Sequence, residues 1–124
     1  MRKDKGIKRI INSFKYAFNG LIDTYKTEQS VWIYIPVSLL VILMGFYFKI
    51  NTVEWLVILL VLGVILSLEL INTALESVVD LVTDKYHPLA KKAKDTVSAA
   101  VLVFAVASVI IGLIIFIPKI ILLF

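Results

Sequence analysis

Glu69, Asn72, Glu76 and Asp80 follow one another at intervals of three, four and four residues. On a helix that spacing puts all four polar side chains on one face. Their surroundings are apolar: Trp55 to Leu68 leads in, and Leu70, Ile71, Leu75, Val78, Val79, Leu81 and Val82 lie between and after. An ionised carboxylate inside a membrane helix costs about 2.5 kcal/mol or more to insert. A stripe that bears this cost three times points to chemistry, ion passage or partner recognition. Carboxylates with an amide at a membrane boundary suit a hard cation such as Mg²⁺, which takes oxygen ligands and shares them with phosphate. Lys94 and Asp95 form a second cluster just across a turn. A lysine beside carboxylates and a metal is what a phosphate site needs. Glu28, whose one basic neighbour is Lys26, is a further candidate metal ligand. The combination reads as phosphoryl transfer, although there is no P-loop and no kinase-type glycine-rich motif.

Plainer readings stand beside these. Glu76 and Asp80 are also placed to form interfacial salt bridges with Lys91, Lys92 or Lys94. Glu69 has no basic residue near its depth, and its plain alternative is a protonated structural residue. His87 is the single histidine and precedes Pro88, so a cap or an interfacial role is its default reading, since one histidine makes no metal site. Gly63 and Ser67, and Ala105, Ser108 and Gly112, have the spacing of closely packed helices. Trp32, Trp55, Tyr34 and Tyr47 read as interfacial belt residues.

The elements that carry these residues must lie in a bilayer. The chain has 124 residues, the length of one domain, of which 60% are hydrophobic, and its mean hydropathy is +0.98. Soluble domains are closer to half apolar. Cysteine is absent, which excludes disulfides, a thiol nucleophile and cysteine-based zinc or iron–sulfur sites. The N-terminal MRKDKGIKRI is basic but runs into an amphipathic pattern rather than a continuous apolar stretch, so no cleaved signal peptide is expected.

An all-α membrane fold follows, with a surface helix and three transmembrane helices. Over 7–27, Ile7, Ile10, Ile11, Phe14, Phe18, Leu21, Ile22 and Tyr25 form one face, opposite Lys8, Arg9, Asn12, Lys15, Asn19, Asp23 and Lys26. Such a basic amphipathic helix is suited to lie on an anionic membrane. The first span is expected at 31–48, about 27 Å long and tolerating Pro36 near its start. Thr52 reads as the N-cap of the second span, 53–82, with Trp55 as an interfacial anchor. This span exceeds what a bilayer needs by roughly ten residues, and the surplus end carries the carboxylates. Asp84-Lys-Tyr-His-Pro breaks the helix, and Pro88 suits the first position of the third. The third span, 88–117, begins polar at Lys91, Lys92, Lys94 and Asp95, turns apolar from Val97 to Ile117, and is interrupted by Pro118-Lys119.

Lysine and arginine set the expected orientation. They crowd before the first span and between the second and third, whereas Lys49 and Lys119 stand alone at the other two ends. The positive-inside rule puts the N-terminus in the cytosol and the C-terminus outside. The second span then enters near Glu54 from outside. Glu69 lies roughly 22 Å further in, Glu76 about 33 Å and Asp80 about 39 Å. Glu69 is deep in the inner leaflet, and the others approach the cytosol.

The run Glu69-Leu-Ile-Asn72-Thr-Ala-Leu-Glu76-Ser-Val-Val-Asp80, then Tyr86-His87, then Ala93-Lys94-Asp95-Thr-Val-Ser98-Ala-Ala-Val101, closely resembles the small bacterial integral-membrane diacylglycerol kinase family. That family includes the undecaprenol kinases of Gram-positive bacteria, which the connection after Asp84 and the ending Gly-Leu-Ile-Ile-Phe-Ile-Pro-Lys resemble more. The resemblance covers nearly the whole chain, Arg9, Tyr16 and Glu28 included. It implies a homotrimer with shared sites in the bacterial cell membrane. It also implies ATP- and Mg²⁺-dependent phosphorylation of a membrane lipid alcohol, undecaprenol before diacylglycerol, and no nucleic-acid partner. Residue by residue, Glu69 is similar to the family's general base, and Glu28 and Glu76 to its metal-binding carboxylates. Arg9, Tyr16, Glu28, Glu76, Lys85, Tyr86, His87, Lys94 and Asp95 match the positions that line the nucleotide. Asn72 and Asp80 match supporting polar residues, and Glu69 and Ser98 are expected beside the lipid.

Two other classes are kept open. A proton-coupled transporter or channel would use Glu69 as a relay, but needs polar groups towards the outer leaflet, where only Ser67 lies between Trp55 and Leu68. A membrane assembly factor without catalysis would show no ATP consumption with added lipid.

Overall fold

The computed structural model describes residues 5–124. They form four helices in chain order: α1 (Gly6–Thr27), α2 (Gln29–Tyr47), α3 (Thr52–Val82) and α4 (Pro88–Leu123). α2, α3 and α4 are each long and apolar enough to cross a membrane. With 31 residues, α3 is about 46 Å long, well beyond the roughly 30 Å of a hydrocarbon core.

The α1–α2 corner is a single extended residue. Glu28 is at once the C-cap of α1 and the N-cap of α2, and its N–H donates to the Thr24 carbonyl at 2.8 Å. The Trp32 indole N–H donates to the Tyr25 carbonyl, closing the corner from the α2 side. Thr24 and Val31 are buried in the angle.

The α2–α3 turn is tighter and better capped. Lys49 adopts φ 52°, a left-handed conformation usually left to glycine. Its N–H donates to the Phe46 carbonyl at 3.3 Å, and the Ile50 N–H reaches the Gly45 carbonyl at 3.1 Å. This pairing uses the carbonyls that end α2. α3 then opens on a reciprocal capping box. The Glu54 N–H donates to Asn51 Oδ1 at 2.8 Å, and the Asn51 N–H donates to Glu54 Oε1 at 3.1 Å. The N-cap is therefore Asn51, one residue before the expected Thr52, because only Asn51 has a glutamate three positions on.

Gly45 lets α2 and α3 touch here. A Cβ on it would lie 2.7 Å from the Trp55 ring, which stacks obliquely on Phe46 with centroids 4.9 Å apart. Ile50, Ile58, Ile115 and Phe116 are the buried centre of this end, with Phe48 and Trp55 packed on them.

α4 runs antiparallel to α3, and the two share the most extensive contact in the chain. It does not stop at Pro118, as expected, but continues to Leu123. A proline removes one N–H and crowds the carbonyl four residues back, a small loss so near the helix end. Lys119 Nζ then donates to Glu54 Oε2 at 2.9 Å and ties the last turns to α3.

Away from this end the large apolar side chains of all four helices are mostly exposed. Surface of that kind calls for lipid or a partner subunit.

Candidate active site

The α3–α4 turn builds a cleft. Thr83 ends α3 in an extended conformation, with its N–H on the Val79 carbonyl at 2.9 Å. The Thr83 hydroxyl accepts the Lys85 N–H at 3.2 Å. His87 is extended, as a residue before proline tends to be, and its Nδ1 accepts the Leu89 N–H at 3.1 Å to cap α4. The capping role expected for this histidine is therefore what its Nδ1 performs. Between the two caps lies a cleft of about 280 Å³, lined by Asp80, Lys85, Tyr86, His87, Lys94 and Asp95 among others.

Two ion pairs organise the cleft. Lys94 Nζ donates to Asp80 Oδ1 at 2.6 Å, across the helices. Lys91 Nζ donates to Asp95 Oδ2 at 2.5 Å along α4. The antiparallel packing thus brings the second cluster onto the stripe. The simple salt bridge foreseen for Asp80 exists, and its partner is the lysine assigned to phosphate. Glu76 forms no such pair among the described residues but lies within electrostatic reach of Lys94.

A second cluster lies about three turns back along α3, where it passes the α1–α2 corner. Glu69 Oε2 accepts the hydroxyl hydrogen of Ser30 at 3.0 Å. Ser30 is the second residue of α2 and stands two positions after Glu28. Glu28 itself is half-buried beside a shallow cavity of about 300 Å³ formed with Lys26, Thr27, Gln29 and Trp32. One turn from Glu69, Asn72 presents a buried Oδ1 without a hydrogen-bond partner among the described residues, and the buried Ser38 Oγ on α2 also lacks one; such atoms are satisfied by bound water, a ligand or another chain.

One chain does not bring every candidate together. Arg9 and Tyr16 lie on α1 and Ser98 on the exposed face of α4, and none of the three lines either cavity. The cleft and the Glu28 cavity share no residue. Among the described residues no three carboxylate or histidine side chains gather around one point. Two features went unforeseen. Ser30 meets Glu69 across 39 positions, and Glu54 meets Lys119 across 65. Only Asn51-Thr-Val-Glu54 carried a local signal, that of a capping box.

Known proteins resemble this chain over most of its length. Residues 15–116 match the model of a family described as prokaryotic diacylglycerol kinase. The undecaprenol kinase of Bacillus subtilis is 47% identical over 113 residues, covering 91% of this chain and 92% of that protein. The diacylglycerol kinase of Helicobacter pylori is 35% identical over 101 residues, 82% of this chain and 79% of that one. That of Haemophilus influenzae is 31% identical over 103 residues, 83% and 87% of the two chains. With the family model matched over most of the chain and a relative 47% identical across 91% of it, the chain belongs to the prokaryotic diacylglycerol kinase family.

Proposed function

We propose that this lipid kinase transfers the γ-phosphate of ATP to the hydroxyl of undecaprenol, giving undecaprenyl phosphate and ADP. The observation that carries the choice of lipid is the 47% identity to an undecaprenol kinase across 91% of the chain. The reaction is carried by the two clusters on α3: Glu69 at lipid depth, and the Asp80–Lys94 cleft at the turn.

Glu69 acts as general base. It accepts the hydroxyl proton as the lipid oxygen bonds to the γ-phosphorus and the bond from that phosphorus to the bridging oxygen of ADP breaks. Lys94 places positive charge on the phosphates, with Asp80 holding the ammonium in place at 2.6 Å. Lys85, Tyr86, His87 and Asp95 line the nucleotide with Arg9 and Tyr16, and Asn72 supports the site. Ser98 stands with Glu69 at the lipid.

Glu28 and Glu76 would hold Mg²⁺. These carboxylates enter none of the ion pairs among the described residues, and two carboxylates plus phosphate oxygens are a common Mg²⁺ donor set. When bound, the ion offsets charge on the transferring phosphate.

The separation of the clusters, the orphaned Asn72 Oδ1 and the exposed apolar faces support sites completed between subunits of a homotrimer. α1 lies on the cytosolic face of the cell membrane, with the N-terminus inside and the C-terminus outside, in keeping with the lysines and arginines before α2 and between α3 and α4. A proton path through α3 finds no support. Its one polar residue between Trp55 and Leu68 is Ser67, whose hydroxyl donates to the Gly63 carbonyl of its own helix at 2.8 Å.

The test is purified protein with labelled ATP, Mg²⁺ and each lipid alcohol in turn. Undecaprenol is expected to be phosphorylated with the higher kcat/KM. Preference for diacylglycerol would move the chain to the other activity of its relatives, and ion flux in liposomes without ATP would oppose a kinase altogether.

A further inference from the structure

We infer that Ser30 is a positioning residue for Glu69, fixing which carboxylate oxygen receives the proton of the acceptor alcohol. The inference rests on Glu69 being the base proposed above.

Many of the serines and threonines inside these helices share one kind of partner. Ser67, Thr73, Ser77, Thr96 and Ser108 each donate to the carbonyl four residues back in their own helix. Ser30 cannot do the same within α2, because the helix begins at Gln29. The carbonyl four residues back belongs to Lys26 of α1. Nor does it replace a missing cap: the Glu28 side chain makes no cap hydrogen bond, and Ser30 does not turn back to serve that end. Its hydroxyl instead crosses to α3 and donates to Glu69 Oε2 at 3.0 Å.

The consequence is geometric. A glutamate on a helix has three side-chain torsions and two equivalent oxygens, and a base works only when one of them meets the proton at hydrogen-bond distance. Ser30 occupies Oε2, holds the carboxylate against the α1–α2 corner and leaves Oε1 for the alcohol. The same corner carries Glu28, two residues earlier. One short segment therefore sets the base relative to a carboxylate assigned to Mg²⁺. A displacement of about 1 Å in such a group is enough to cost on the order of a hundredfold in rate.

The experiment compares Ser30→Thr with Ser30→Val in the full-length protein reconstituted in lipid. The two side chains have nearly the same shape and similar helix propensity, and differ in one hydroxyl. Ser30→Val is expected to lower kcat about tenfold or more with KM for ATP and for the lipid alcohol unchanged, and Ser30→Thr is expected to restore most of it. Glu69→Gln is measured alongside. Near-normal turnover of Glu69→Gln would remove the base that Ser30 is said to position. With Glu69→Gln inactive, equal kcat for the Thr and Val variants would overturn the role of Ser30 alone. A raised KM for lipid at unchanged kcat would make Ser30 a substrate contact instead.

Discussion

The two ends of the α3–α4 pair each hold one ion pair between the helices, and the pairs sit in opposite surroundings. At the end near the α2–α3 turn, Glu54 and Lys119 keep only 20% and 25% of their side-chain surface exposed. Glu54 also closes a capping box, and the buried cluster of Ile50, Ile58, Ile115 and Phe116 lies at this same end. At the other end, Asp80 and Lys94 are 58% and 42% exposed, and they face a cleft rather than a core. A pair whose geometry is fixed by packing serves stability. A solvated pair contributes little to it and leaves its charges ready for another partner. The same chemistry thus holds the helices at one end, and at the other it leaves a lysine exposed on a cleft, where the proposed function puts phosphate.

Breaking the pairs one at a time separates these roles. Lys94→Met is expected to lower kcat/KM for ATP by about a hundredfold, of the order seen when a charged phosphate contact is removed, while the unfolding midpoint in detergent stays where it was. A fall in that midpoint with normal kinetics would reverse the assignment. Gly45→Ala acts only on the packed end. Its methyl group would lie 2.7 Å from the Trp55 ring, and forced overpacking of this kind costs about 1–3 kcal/mol, read as a lowered unfolding midpoint with kcat retained in the folded fraction. Lys119→Met should cost about 1 kcal/mol of stability, since the pair is only partly buried and Asn51 still holds Glu54. Its kcat should match the parent, and a selective loss of kcat would show that this end reaches the site.

Much of the cleft end was legible in the sequence because it rests on local rules. The stripe on α3 follows from helical period, and the meeting of Lys94 with Asp80 follows from a short turn between antiparallel helices. The packed end was less legible. Asn51 and Thr52 are both good caps, and only the glutamate three residues after Asn51 decides between them. Pro118 reads as a breaker, yet α4 continues through it, and the Lys119 contact to a residue 65 positions earlier is invisible to any local pattern. Ser30 is hidden for the same reason: its partner lies on a helix packed against its own, and nothing in the spacing from Glu28 to Val31 reports that helix.

In the proposed reaction Glu69, midway along α3, takes the proton as phosphate passes to a lipid alcohol. The most direct test of that step is Glu69→Gln, assayed for transfer of labelled phosphate from ATP to undecaprenol, with nucleotide binding measured on the same preparation. Removal of a general base predicts a loss of turnover of about a hundredfold to ten-thousandfold, with nucleotide binding preserved. Turnover near that of the parent protein would contradict it.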